Sequence, residues 1–166
     1  MPATFSAIPG AQGYQQSCPS ALTTASLLGS LELIKDVGMM SVLRERSLKV
    51  TGYLETKLVQ SKFYVPLTEV SSRYPFGAES SSPPGFTIIT PSDPESRGAQ
   101  LSLLILPPGS GVMRQVSAYL ASYGVIGDKR EPDVIRLAPT PLYNTLADCE
   151  RAALYLDKIL QTLQSS

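Results

Sequence analysis

Arg136 is the residue in this chain whose setting points most directly to chemistry. It lies in Val134-Ile135-Arg136-Leu137, a short apolar run that reads as a β-strand. A guanidinium among apolar neighbours is costly to bury unless an anion pairs with it. Two readings stand side by side. The head reaches solvent at a sheet edge or pairs with nearby Asp133, or its planar fork takes a carboxylate in two parallel hydrogen bonds. Just upstream, Asp128, Lys129, Arg130 and Glu131 form a charge run. Such runs are usually solvated turns. Asp128, however, follows apolar Val125 and Ile126 and shares a hairpin with Arg136. A carboxylate there can act as a general base if desolvation raises its pKa. Arg130 in that run, and Arg97 in Ser96-Arg97-Gly98, are further candidate anion contacts that also read as ordinary surface cations.

A second concentration of reactive types is Tyr14-Gln15-Gln16-Ser17-Cys18, between the glycines at 10 and 13 and a helix start. It is either a plain connector or a functional loop held by its flanks. Cys18 is either a small hydrophobe or a nucleophile. The chain has no histidine, so a Cys18 thiolate would draw its stabilisation from the helix start near Ser20. Tyr14, Cys18 and Asp128 are therefore the candidate catalytic groups. Gln16, Ser17, Arg97, Arg130 and Arg136 are the candidate substrate contacts. Without histidine the commonest general base and zinc ligand is missing, and no metal site is expected.

These residues need elements to position them. Pro19-Ser20 opens a helix that ends near Gly38, with Leu22, Ala25, Leu28, Leu31 and Ile34 at helical spacing, and it is expected to be buried. A second helix is expected over 40–60, with Leu43, Val50, Tyr53, Leu54 and Leu58 inward. Ser, Pro and Gly dominate 71–85, which reads as a mobile surface loop. Strands are expected at 86–90 and 100–106, and a helix at 112–123. A strand at Val125-Ile126 then leads through a charged turn to the strand 134–137. Asn144 is positioned to cap a last helix running to Leu163, with Leu146, Ala153, Leu156, Ile159 and Leu160 inward and Asp148 and Glu150 complementing its dipole. The fold class is α+β: one domain over 1–166, a small, mainly antiparallel sheet with helices packed over it.

The 166 residues have a formal net charge of zero. That charge gives no reason to expect nucleic acid or an anionic membrane as partner. No apolar run approaches a membrane span, the first residues lack a signal peptide's features, and the two cysteines lie far apart. These features suggest the cytoplasm and a reducing compartment.

Several blocks resemble kynureninase. D-K-R-x-P-x-x-I-R-x-A-P-x-P-L-Y-N from Asp128 to Asn144 is similar to that family's C-terminal signature. I-P-G-x-x-G-Y-Q-Q-S-x-P-S from Ile8 to Ser20 resembles its active-site loop, and Ile88 to Ser102 also fits. The resemblance implies the small domain of a fold type I enzyme dependent on pyridoxal phosphate (PLP), with Arg136 at the position that binds the substrate α-carboxylate. It places the Tyr14–Cys18 loop by the substrate's aromatic ring. Cys18 stands where the family usually has asparagine, which removes an amide hydrogen-bonding group.

The family's Schiff-base lysine, pyridine partner and phosphate cup lie upstream of the Ile-Pro-Gly loop. The lysines here (35, 49, 57, 62, 129 and 158) do not match the lysine motif, and no glycine-rich phosphate loop replaces the cup. The expectation is therefore a complete, repurposed protein without cofactor, starting with its own methionine. It would bind a kynurenine-like, anthraniloyl-bearing amino acid or peptide and promote a PLP-independent condensation or cyclisation in secondary metabolism. A homodimer or larger assembly would cover the apolar surface of a detached small domain. The alternatives are a non-catalytic binding module and the C-terminal fragment of a full kynureninase.

Overall fold

The computed structural model describes residues 6–75 and 82–165. Backbone contacts divide the chain into two compact units, Met1–Met40 and Ser41–Ser166.

The first unit holds a single 3-10 turn, Ala11–Tyr14, and helix α1, Ala21–Asp36. Ser20 takes the N-cap in extended backbone, and its carbonyl accepts from the Thr24 N–H. The expectation of a buried α1 fails: none of its residues is buried. Leu22, Leu27, Leu28, Leu31 and Leu33 are exposed. They are spread around the helix and form no single stripe to set against a core. Gly38, with φ 101, takes the left-handed conformation that ends helices.

In the second unit, helix α2 (Met39–Val59, its first two residues belonging to the first unit) buries Leu43, Ser47, Val50, Thr51, Leu54 and Leu58, the repeat of a one-sided helix. A short helix α3, Leu67–Arg73, was not expected. Its last turn, Ser71–Arg73, occupies the start of the segment assigned to a mobile loop. Residues 76–81 of that segment lie outside the described residues. Strands β1 (Gly85–Ile88), β2 (Leu101–Leu106), β3 (Asp128–Arg130) and β4 (Val134–Leu137) form one antiparallel sheet in the order β1-β2-β4-β3. Helix α4 (Val112–Ser122) sits between β2 and β3 in sequence, and α5 (Leu146–Gln164) closes the chain. Alternation sends Leu101, Leu103 and Ile105 of β2, and Ile135 and Leu137 of β4, into the core with Leu54, Leu58, Met113, Leu120, Leu156 and Leu160. This is the expected α+β architecture.

Two boundaries differ from expectation in ways that matter for the site. The strand lies on the charge run and not on Val125-Ile126, and the turn is Glu131–Asp133. Pairing decides this, since Asp128 faces Arg136 and Arg130 faces Val134 across β3 and β4. Ile126, expected in a strand, is exposed. The last helix starts at Leu146, which is itself exposed, and Cys149 and Ala152 face inward instead. Its N-cap is Thr145, whose hydroxyl accepts from the Asp148 N–H while Asp148 accepts from the Thr145 N–H, a reciprocal capping box. Asn144 does a different job. Its Oδ1 accepts from the Thr140 N–H at 2.8 Å and closes the preceding turn.

Candidate carboxylate site

The β3–β4 hairpin and β2 place three polar side chains in one row. Ser102 lies opposite Arg136 in the β2–β4 register, and Asp128 lies opposite it in the β3–β4 register. Directly opposed residues project to the same face of a sheet. Leu101, Leu103, Ile135 and Leu137, their neighbours along the strands, project to the core, so this row occupies the other face. The Arg136 side chain is 29% exposed. Its Nη2 donates to Asp128 Oδ2. Its Nε is buried and, among the described residues, finds no acceptor. Arg130 donates through Nε to the same Asp128 Oδ2 at 3.0 Å, so one carboxylate is shared by two guanidiniums. Asp133, the local partner considered for Arg136, is buried and accepts from the Gly109 N–H at 2.9 Å instead. Ser102 was not foreseen as a neighbour of Arg136, because nothing in the linear order fixes the register between β2 and β4.

The other candidates are placed elsewhere. Arg97 donates through both Nη atoms to both carboxylate oxygens of Glu55, and to the Pro91 carbonyl at 3.1 Å. Its side chain is only 4% exposed. The bond to Glu55 raises its pKa above the ordinary value, and both of its Nη atoms are engaged inside the protein. Tyr14, Gln16, Ser17 and Cys18 belong to the first unit and are all exposed, with Gln15 Nε2 donating to the Ser17 carbonyl at 2.9 Å. A cleft of about 340 Å³ opens beside Gly124, Val125, Leu137, Pro139, Asn144 and Arg151. Leu137 is in its wall, so it lies on the core side of β4, away from Arg136. Tyr123 and Tyr155 stack in the same wall, with centroids 4.6 Å apart and an interplanar angle of 8°. Cys149 is buried, and burial, with the Asp148 charge second, pushes its thiol up to about 11. No group of three potential metal ligands occurs among the described residues.

The model of the kynureninase C-terminal domain matches residues 76–156. The kynureninase of Eremothecium gossypii is 46% identical over 164 residues, covering 96% of this chain and 34% of its own length. That of Yarrowia lipolytica is 44% identical, covering 98% of this chain and 36% of its own length. Kynureninase 1 of Phaeosphaeria nodorum is 45% identical over 87% of the chain and 24% of its own. The chain belongs to the kynureninase family. It spans between a quarter and about a third of the length of those relatives and corresponds to their C-terminal domain.

This overturns the expectation of a stand-alone, PLP-independent cyclase of secondary metabolism. Relatives matching almost the whole chain are named kynureninase, and the match is to one domain of them. The kynureninase resemblance implies PLP, which needs a Schiff-base lysine. Lys35 lies in the last turn of α1, in the first unit. Lys49 pairs with Glu45, Lys57 with Glu150, and Lys129 with Glu131. Lys62 bonds Gln161, and Lys158 lies over the Tyr155 ring. None of these lines the cleft, and none stands in the Arg136 row. These residues do not fit the cofactor's aldehyde-binding requirement. No helix among the described residues is long and apolar enough to cross a membrane.

Proposed function

We propose that this chain serves as the C-terminal, carboxylate-holding domain of a kynureninase, with Arg136 gripping the α-carboxylate of a kynurenine-type substrate. The observation that carries the reading is the half-buried Arg136 at the position of the Ile-Arg-x-Ala-Pro motif, with a buried Nε that finds no acceptor among the described residues. Nε and Nη2 share one edge of the guanidinium. A carboxylate placed on that edge would satisfy Nε and share Nη2 in the bidentate geometry that arginine favours. The hydrolysis of kynurenine belongs to the longer protein, with PLP chemistry supplied by residues other than those described. In the same reading, α1, with its exposed leucines, is covered in a homodimer or larger assembly. Sedimentation that finds a stable monomer at micromolar concentration would count against that part.

The test of the site is calorimetric titration of the chain with L-kynurenine and with its amide. Arg136→Ala should cost about 1.5–3 kcal/mol of affinity for the acid, the range for hydrogen bonds to charged groups. It should change amide binding little. Arg136→Lys keeps the charge but loses the fork, and should still bind the acid more weakly. Equal losses for acid and amide, with circular dichroism unchanged, would make Arg136 a structural residue.

A further inference from the structure

We propose that Asp128 is a displaceable internal carboxylate: it aims Arg136 before a ligand arrives, then yields the guanidinium edge to an incoming carboxylate and remains held by Arg130. The inference rests on the reading of Arg136 as a carboxylate site. It adds a positioning and competing role for Asp128.

Three observations lead to it. Asp128 and Arg136 are register partners across β3 and β4, so the backbone holds their side chains on one face. Their contact runs from Nη2 to Oδ2 alone, while Nε on the same edge stays buried without an acceptor among the described residues. A carboxylate free to settle on that edge would use both of its oxygens, one for each donor. Asp128 does not, because its Oδ2 also receives Arg130 Nε at 3.0 Å. It is divided between two cations.

A ligand carboxylate can do what Asp128 does not, giving one oxygen to Nε and the other to Nη2. The exchange does not strand Asp128, since the bond to Arg130 persists. Two guanidiniums and one carboxylate leave a net charge of +1 in the cluster, matched to a single incoming carboxylate. The 48% exposure of Asp128 against 29% for Arg136 gives the outgoing group the wetter position. By the same geometry one of the two carboxylate oxygens of Asp128, Oδ2, already takes two donors.

The experiment follows the side-chain Nε–H signal of Arg136 by ¹⁵N NMR at constant ionic strength. Sodium acetate is the probe for exchange, and L-kynurenine and its amide are probes for the underlying site. Asp128→Asn removes the competing charge at nearly constant shape. It should tighten acetate binding by about two- to fivefold, the worth of an exposed ion pair. Arg130→Gln leaves Asp128 with Arg136 as its only partner here and should weaken acetate binding by a similar factor. Opposite signs for the two variants support the exchange. A merely structural Asp128 would give weaker or unchanged acetate binding in Asp128→Asn, and that result overturns the proposal, as does no response to acetate from either protein. If Asp128→Asn does not fold, Arg130→Gln decides: weakening supports the exchange and no change overturns it. Wild type that prefers L-kynurenine to its amide, together with no tightening in Asp128→Asn, removes the exchange alone. Equal response to acid and amide removes the carboxylate site itself.

Discussion

Arg97 and Arg136 each meet a carboxylate of their own chain, in surroundings that give the two contacts different consequences. Around Arg97 the pairing is complete, with two nitrogens on two oxygens and a backbone carbonyl besides, and the side chain is almost wholly buried. Breaking a buried pair from one side leaves the other charge without compensation. Arg97→Ala should therefore lower unfolding stability by about 3 kcal/mol in urea titration, while the acetate response at Arg136 survives in the folded protein. A loss within experimental error would show the pair to be replaceable by water. The cysteines differ in the same way. Cys18 is exposed, and Cys149 is buried with its thiol pushed up to about 11. A thiol reagent at pH 8 should consume one equivalent quickly and the second only after denaturant is added. Two fast equivalents would mean that Cys149 is reached in the native state. At this scale the sequence was informative about Arg136, since a lone cation in an apolar run is conspicuous. It was silent on Asp128 as the partner and on Ser102 in the row, because both depend on strand register. Asp133, three residues away, was the nearer choice and was already engaged by Gly109.

Among the elements, α5 depends most visibly on a local device. Thr145 and Asp148 satisfy each other's backbone N–H groups at its first turn. Thr145→Ala should lower stability by about 1 kcal/mol, the usual cost of losing such a cap, read from the denaturation midpoint. Asp148 is held below the ordinary carboxylate range, first by the backbone N–H of Thr145 and then by its hydroxyl. A folded pKa below the unfolded one stabilises at neutral pH. That contribution is lost as pH falls through the unfolded and then the folded value. Acid should therefore destabilise wild type more than Thr145→Ala, and parallel acid profiles would contradict the assignment. Periodicity made α2, α4, α5 and β2 legible, since each has one clear apolar side. It misled at α1, where Leu22, Ala25, Leu28, Leu31 and Ile34 fall at helical spacing yet none is buried. It missed α3, whose seven residues include two serines and give too short a pattern. At β3 hydrophobicity favoured Val125-Ile126, whereas hydrogen bonding to β4 drew Asp128–Arg130 into the ladder.

At the scale of the molecule, the described core is a helix-covered sheet whose last helix reaches back to α4. Tyr123 follows the end of α4 and Tyr155 lies midway along α5, and their rings are nearly parallel at 4.6 Å. The chain contains no tryptophan, so tyrosine dominates its absorption near 280 nm. Two parallel rings at this separation couple their transition dipoles. They should give a near-ultraviolet circular dichroism feature that isolated tyrosines lack. Tyr123→Leu should erase that feature and leave the helical far-ultraviolet signal in place. The protein thus carries its own optical gauge, reading whether the final helix is seated during unfolding, with no label attached.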